Sequence, residues 1–147
     1  MKRTIMGSVS SGTMLPQDLI PSFLWELDHQ KPCRREHRKL IREINSRMEQ
    51  ENYFPSDDAG FDLESLFDAL NEYALPYFYF GAHPGDGADY GFWLSESFTE
   101  DFDGLKVSDT SEVPKGFTGE VLHVSDHGNM TLYSLSRDHF CEVWAIV

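Results

Sequence analysis

PYFYFGAHPGDGADYGFWLS, residues 76–95, decides the fold class of this 147-residue chain. Before Pro76, apolar residues recur at helical spacing; after it they alternate with polar ones, as in half-buried strands. PYFYFGA and YGFWLS read as aromatic strands, with HPGDGADY as the hairpin loop between them. The loop is rich in glycine and invites a phosphate-binding reading, which fails on context and on sign. A phosphate cradle aims backbone N–H groups from a helix N-terminus, or ends in a GK[ST] lysine. This stretch joins two strands and carries Asp86 and Asp89, which repel phosphate. Gly85, Gly87 and Gly91 form GxGxxxG, which is not the dinucleotide fingerprint. A turn with a structural role is expected, with a rim open to a partner.

Upstream, a Ser/Gly-rich stretch over residues 1–14 reads as a flexible arm. In MLPQDLIPSFLWELDHQ, the residues Leu19, Ile20, Phe23, Leu24 and Leu27 keep helical spacing. Because proline is tolerated only near a helix start, a short turn over 15–20 and a helix over 21–29 are expected. CRREHRKLIREINSRMEQEN is a second helix, with Leu40, Ile41, Ile44 and Met48 as its apolar stripe. YFPSDDAG reads as a connector. FDLESLFDALNEYA is a third helix with Asp62 as its N-cap and Leu63, Leu66, Phe67 and Leu70 inward.

Downstream, GLKVS is a short strand, and GEVLHVS, NMTLYSLS and FCEVWAIV form an antiparallel meander turned at DHGN and RDH. Gly128 and Asn129 suit positive φ at the first of these turns. The expectation is an α+β fold, one domain over 15–147, with N-terminal helices (about 16–74) packed on a mainly antiparallel sheet (about 76–147).

Charge is the second strong signal. The chain has 12 Lys/Arg against 25 Asp/Glu, for a net charge of −13. Residues 1–50 hold nine basic and six acidic side chains, whereas residues 51–147 hold three and nineteen. A field of that sign repels nucleic acid and anionic membranes and attracts basic protein surfaces. Solubility alone needs a net charge of only about 2–8. On the third helix Glu64, Asp68 and Glu72 line up at four-residue intervals, with no lysine in the row. Arg34, Arg38 and Arg42 do the same on the second helix. That row reads as a solvated face, as an internal counter-charge for the acidic remainder, or as a nucleic-acid contact.

Chemistry-bearing clusters are absent from the pattern. Neither Asp86/Asp89 nor Glu100, Asp101 and Asp103 in EDFDG follow the calcium-loop spacing. His83, His123 and Asp126 meet at a metal only if their strands are neighbours, and His127 and His139 lie at turns. No serine or cysteine sits in a nucleophile elbow. Cys33 and Cys141 make no disulfide framework. No apolar run approaches the roughly 18 residues of a membrane span, and the N-terminus lacks a signal-peptide core. No catalytic residue, metal or cofactor is expected, and a cytoplasmic location is.

PYFYFGAHPGDGADYGFW, DTSEVPKGFTGEVLHVSDHGNMTLY, the terminal EVWAIV and the early SGTMLPQDLIPSFLWEL together resemble a family of small acidic proteins encoded by phages and other mobile elements. The resemblance covers most of the chain; the arginine-rich helix is its least familiar part. It assigns no catalytic residue. It implies an accessory protein that binds and disables host machinery.

Two functional expectations follow. The first is a non-enzymatic interaction protein that meets a basic protein surface, as a DNA mimic would, and touches neither nucleic acid nor membrane directly. Its contacts would be Asp57, Asp58, Glu64, Asp68, Glu72, Asp86, Asp89, Glu100, Asp101 and Asp103. On this reading Glu64, Asp68 and Glu72 are replaceable by lysine without harm to the fold. The alternative is a small-molecule module lined by Tyr79, His83, Tyr90 and Trp93, whose aromatic faces suit a planar or cationic ligand.

Overall fold

Pro16 sets the start of the first helix. The computed structural model describes residues 6–146, and the chain divides into two compact units, Met1–Ser95 and Glu96–Val147. Residues 1–5 of the expected arm, and Val147 of the expected last strand, lie outside the described residues. The α+β class holds, with the helices preceding the strands of their own unit in the chain apart from β1, which comes before α1. The strands divide between two sheets where one was expected.

In the first unit α1 spans Pro16–Asp28 as one helix, so the turn expected over 15–20 is its first turn. Pro16 sits at the helix start, where its missing N–H is not needed. Pro21 forfeits the single bond to the carbonyl four residues back. That loss is offset by the helix burying Leu19, Ile20, Phe23, Leu24 and Leu27 together. α2 follows as Arg35–Met48. α3 spans Asp57–Asn71 and begins four residues before its expected start. Ser56 occupies the N-cap position, and Asp57 and Asp58 lie in the first turn, where carboxylates complement the helix dipole. Asp62 is therefore not a cap but a buried helix residue.

Three strands complete the unit: β1 (Gly7–Ser10), β2 (Phe78–His83) and β3 (Asp86–Leu94), in the order β1-β3-β2, all antiparallel. Residues 7–10, expected in a loose arm, thus form an edge strand. The expected loop over 83–90 is mostly strand: Pro84 and Gly85 alone separate β2 from β3, and residues 87–89 bulge from the ladder. Phe80, Tyr90 and Phe92 face the helices. Phe23 meets Phe67 and Phe80 edge-on, each at 5.1 Å, and Phe80 meets Phe92 at 4.9 Å. This aromatic layer is the core that the helical and strand periodicities promise.

The second unit holds a short helix, α4 (Phe98–Asp101), and β4 (Leu105–Val107), β5 (Gly119–Val124), β6 (Met130–Ser136) and β7 (His139–Ile146). The sheet order is β4-β5-β6-β7; β4 pairs parallel to β5, and the last three strands form the expected meander. Gly128 takes the positive φ expected in the first turn. In the second turn Arg137 and Asp138 take φ of 51° and 61°, the left-handed pair that a tight hairpin requires. Asn129 does not share this conformation. Val121, Leu122, Leu132 and Leu135 are buried in the sheet, and Trp144 packs on Phe98 at 5.5 Å.

The glycine-rich stretch has one strict structural requirement, at Gly91. A Cβ there would overlap the Gly7 carbonyl of β1, because the two strand backbones cross closely at Ser8↔Gly91. At Gly87 a Cβ meets nothing. Gly91→Ala is expected to cost about 1–3 kcal/mol and to loosen β1, while Gly87→Ala stays within about 0.5 kcal/mol of wild type. Urea unfolding of the two variants, with amide exchange at Ser8 and Val9, checks both.

Candidate functional site

α2 and α3 run antiparallel and are clamped at both ends by polar contacts, with a groove between the clamps. At one end Asp62, 6% exposed, accepts Arg47 Nε on Oδ2 and Arg47 Nη2 on Oδ1, both at 2.8 Å. The Tyr53 hydroxyl donates to the same carboxylate at 2.7 Å. A buried carboxylate needs this full set of donors, since an unpaired charge at such a site would be driven toward protonation. Burial, followed by the hydrogen bond to Asp62, pushes Tyr53 well above its ordinary 10.0.

The other clamp gathers residues from the N-terminus of α2 and the C-terminus of α3. Glu72 accepts Arg34 Nη1 at 2.9 Å and lies 2.7 Å from His37 Nε2. His37, 4% exposed, lies 2.7 Å from the Tyr73 hydroxyl through Nδ1, and the Arg34 backbone N–H donates to that hydroxyl at 2.8 Å. Every partner is satisfied when Nε2–H donates to Glu72 and the Tyr73 hydroxyl donates to Nδ1. Burial raises Tyr73 above its ordinary range as well. The residues of this cluster satisfy one another, which suits a structural clamp.

Between the clamps lies a cavity of about 370 Å³, lined by Glu36, His37, Lys39, Leu40, Glu43, Ser65, Asp68, Ala69 and Glu72. Its floor is apolar, from Leu40 and Ala69, and carboxylates stand around it. Lys39 sits 3.9 Å from Glu43 on the same helix, a weak surface pair. Asp57, Asp58, Glu64 and Asp68 are exposed on α3 and make no ion pair among the described residues.

The remaining acids named from sequence are dispersed. Asp86 is exposed at the hairpin turn and accepts the Ala88 N–H at 3.0 Å. Asp89 is half-buried, with Oδ1 shielded and without a hydrogen-bond partner among the described residues. Glu100, Asp101 and Asp103 are exposed but belong to the second unit, where Asp101 accepts the Ser97 hydroxyl. Glu72, expected to be unopposed, is held by Arg34 and His37. A lysine there would break the clamp, so the three-residue replacement is not neutral.

Of the aromatic set, Tyr79, His83 and Trp93 gather on one face of the hairpin; Tyr79 pairs opposite Trp93, and His83 meets Trp93 edge-on at 4.6 Å. Tyr90 points to the other face, into the core against Phe23 and Phe67. The polar atoms on the outer face serve the hairpin itself: Tyr79 donates to the Ala82 carbonyl, Trp93 to the Gly81 carbonyl, and His83 Nδ1 accepts the Gly85 N–H. His123 bonds the Ser108 carbonyl. It lies in a different sheet from His83, and no group of three or more His, Cys, Asp or Glu able to hold a metal occurs among the described residues. Nor, among those residues, is any helix long and apolar enough to cross a membrane. His37 escaped sequence reading because its i, i+4 neighbours are Cys33 and Ile41; both of its hydrogen-bond partners come from α3 and the residues just after it.

Compared with known protein families, curated proteins and solved structures, the chain matches none.

The buried tyrosines give the helical unit an alkaline limit. An unfolded tyrosine ionises near pH 10, whereas Tyr53 and Tyr73 keep their protons to higher pH in the fold. Above about pH 10 the folded state then binds more protons than the unfolded chain, so this stability is complete below that pH and is lost as pH rises. A melting series from about pH 8 to about 11 should show Tm falling above about pH 9.5. Tyr53→Phe should flatten the fall and cost about 1 kcal/mol at neutral pH.

Proposed function

We propose that the protein is a non-enzymatic binding partner for a basic protein surface, and that the exposed face of α3 with the α2–α3 groove is the contact. The observation that supports this reading best is the set of exposed carboxylates at Asp57, Asp58, Glu64 and Asp68, which have no ion-pair partner among the described residues. They stand on a helix that both clamps hold rigid. Glu64 and Asp68 are one step of about 6 Å apart along the axis.

A partner's lysine or arginine would lay its methylene stem on Leu40 and Ala69 and bring its charge to Asp68 at the groove wall. Single exposed pairs contribute little, and several together give an affinity that falls with salt. The partner surface suited to such an array is one that normally grips nucleic acid, so occupancy blocks that grip. The likeness to phage and mobile-element proteins fits an inhibitor of host nucleic-acid-binding or defence machinery.

Glu64→Lys combined with Asp68→Lys tests the reading. Both positions are exposed, so unfolding free energy should move by no more than about 0.5 kcal/mol. Tagged wild-type protein should retain a basic host protein at low salt, release it at moderate salt and release it to added duplex DNA; the double variant should retain none. Equal retention by the variant would reject the face. Glu72→Lys serves as the contrast and is expected to cost about 1–2 kcal/mol by opposing Arg34 and leaving His37 without its acceptor.

A further inference from the structure

Phe61 is 65% exposed on α3, whereas Leu63, Leu66, Phe67 and Leu70 of the same helix belong to the core or pack against it. Helical spacing fixes what surrounds the ring. Asp57 and Asp58 precede it by four and three residues, and Glu64 and Asp68 follow it by three and seven, so all five share one face of the helix. Each of those four acids is exposed, and α3 contains no lysine or arginine. Ser65, one turn on, lines the α2–α3 groove, which places the ring one turn from that lining. Gly60 is exposed as well, and a Cβ there would meet nothing within 4 Å. Glycine weakens a helix interior relative to alanine, and no close contact demands it here. Its effect is to leave the surface beside the ring open.

These surroundings select the chemistry of a partner side chain. An aliphatic group laid on the phenyl ring would shut water away from the neighbouring carboxylates, and carboxylates desolvated without donors are costly. A cation suits both parts of the face, since the ring attracts it and the carboxylates pair with it. Arginine does this better than lysine. Its guanidinium is planar and weakly hydrated, so it stacks flat on an aromatic ring while its N–H groups point outward, in the same plane, to carboxylates at the rim. The lysine ammonium is a compact, strongly hydrated point charge that must shed more water to lie on a ring.

We infer that Phe61 is the anchor of the acidic face and that it takes an arginine side chain of the partner, stacked on the ring and paired with the carboxylates around it. The inference rests on α3 being the contact face, and it names the side chain which that face selects: the partner segment bears arginine in preference to lysine.

Two acetylated, alanine-rich peptides probe it, alike except that one carries arginine wherever the other carries lysine. At low salt the wild-type protein should bind the arginine peptide about fivefold more tightly. The arginine δ-methylene protons should move upfield on binding, the mark of a ring beneath them. Phe61→Leu keeps an apolar side chain and removes the ring. It should weaken the arginine peptide about fivefold, change the lysine peptide by less than about twofold, and abolish the upfield shift. Phe61→Trp should hold or raise affinity for the arginine peptide. The position is exposed, so the urea midpoints of both variants should match that of the wild type. The inference is overturned if the wild type binds neither peptide or binds both equally. It is overturned equally if Phe61→Leu matches the wild type on both peptides or weakens both by the same factor. Loss of both peptides in Glu64→Lys/Asp68→Lys, with Phe61→Leu unchanged, sinks this inference and leaves the acidic face standing. Full binding of both peptides by that charge variant rejects the face itself, and the inference with it.

Discussion

The carboxylate of Asp62 is the contact on which the helical unit turns. It is buried and charged, and it is tolerated only because Arg47 grips both of its oxygens while Tyr53 donates to one of them. One donor comes from α2 and the other from the loop leading into α3, so the same three side chains set the distance between the helices and the course of the chain joining them. At the far end Glu72 and Tyr73 answer Arg34 and His37 in the same manner. A pair of helices fastened at both ends by polar contacts leaves its middle open, and that opening is the acidic groove.

These clamps also redistribute the charge. Arg34 and Arg47, two members of the basic segment, are spent on Glu72 and Asp62, which removes two acids from the exposed field. What remains on α3 is the stretch from Asp57 to Asp68, next to a groove with an apolar floor. Arg38 and Arg42 stay exposed. The second helix thus partly neutralises the acidic remainder and partly presents a solvated basic face.

The sheet of the same unit obeys a different constraint. β1 approaches β3 so closely that only glycine fits at position 91. Gly91 therefore serves a close backbone contact, whereas Gly87 faces open space.

Much of this architecture was legible along the chain. Helical spacing located the buried faces of α1 and α3, alternation located the meander, and residue sums set the sign of the surface, because each depends on neighbours in sequence. Other features were not. Asp62 reads as a helix cap when only its local context is visible. β1 reads as a loose arm, and Glu72 as an unopposed charge. Their roles come from Arg47 fifteen positions away, from Gly91 and from Arg34 thirty-eight positions away. Periodicity and net charge are sums over nearby residues and survive any tertiary arrangement. Which carboxylate is buried, which is paired and which is left facing solvent depends on contacts between distant segments, so only the folded chain decided it.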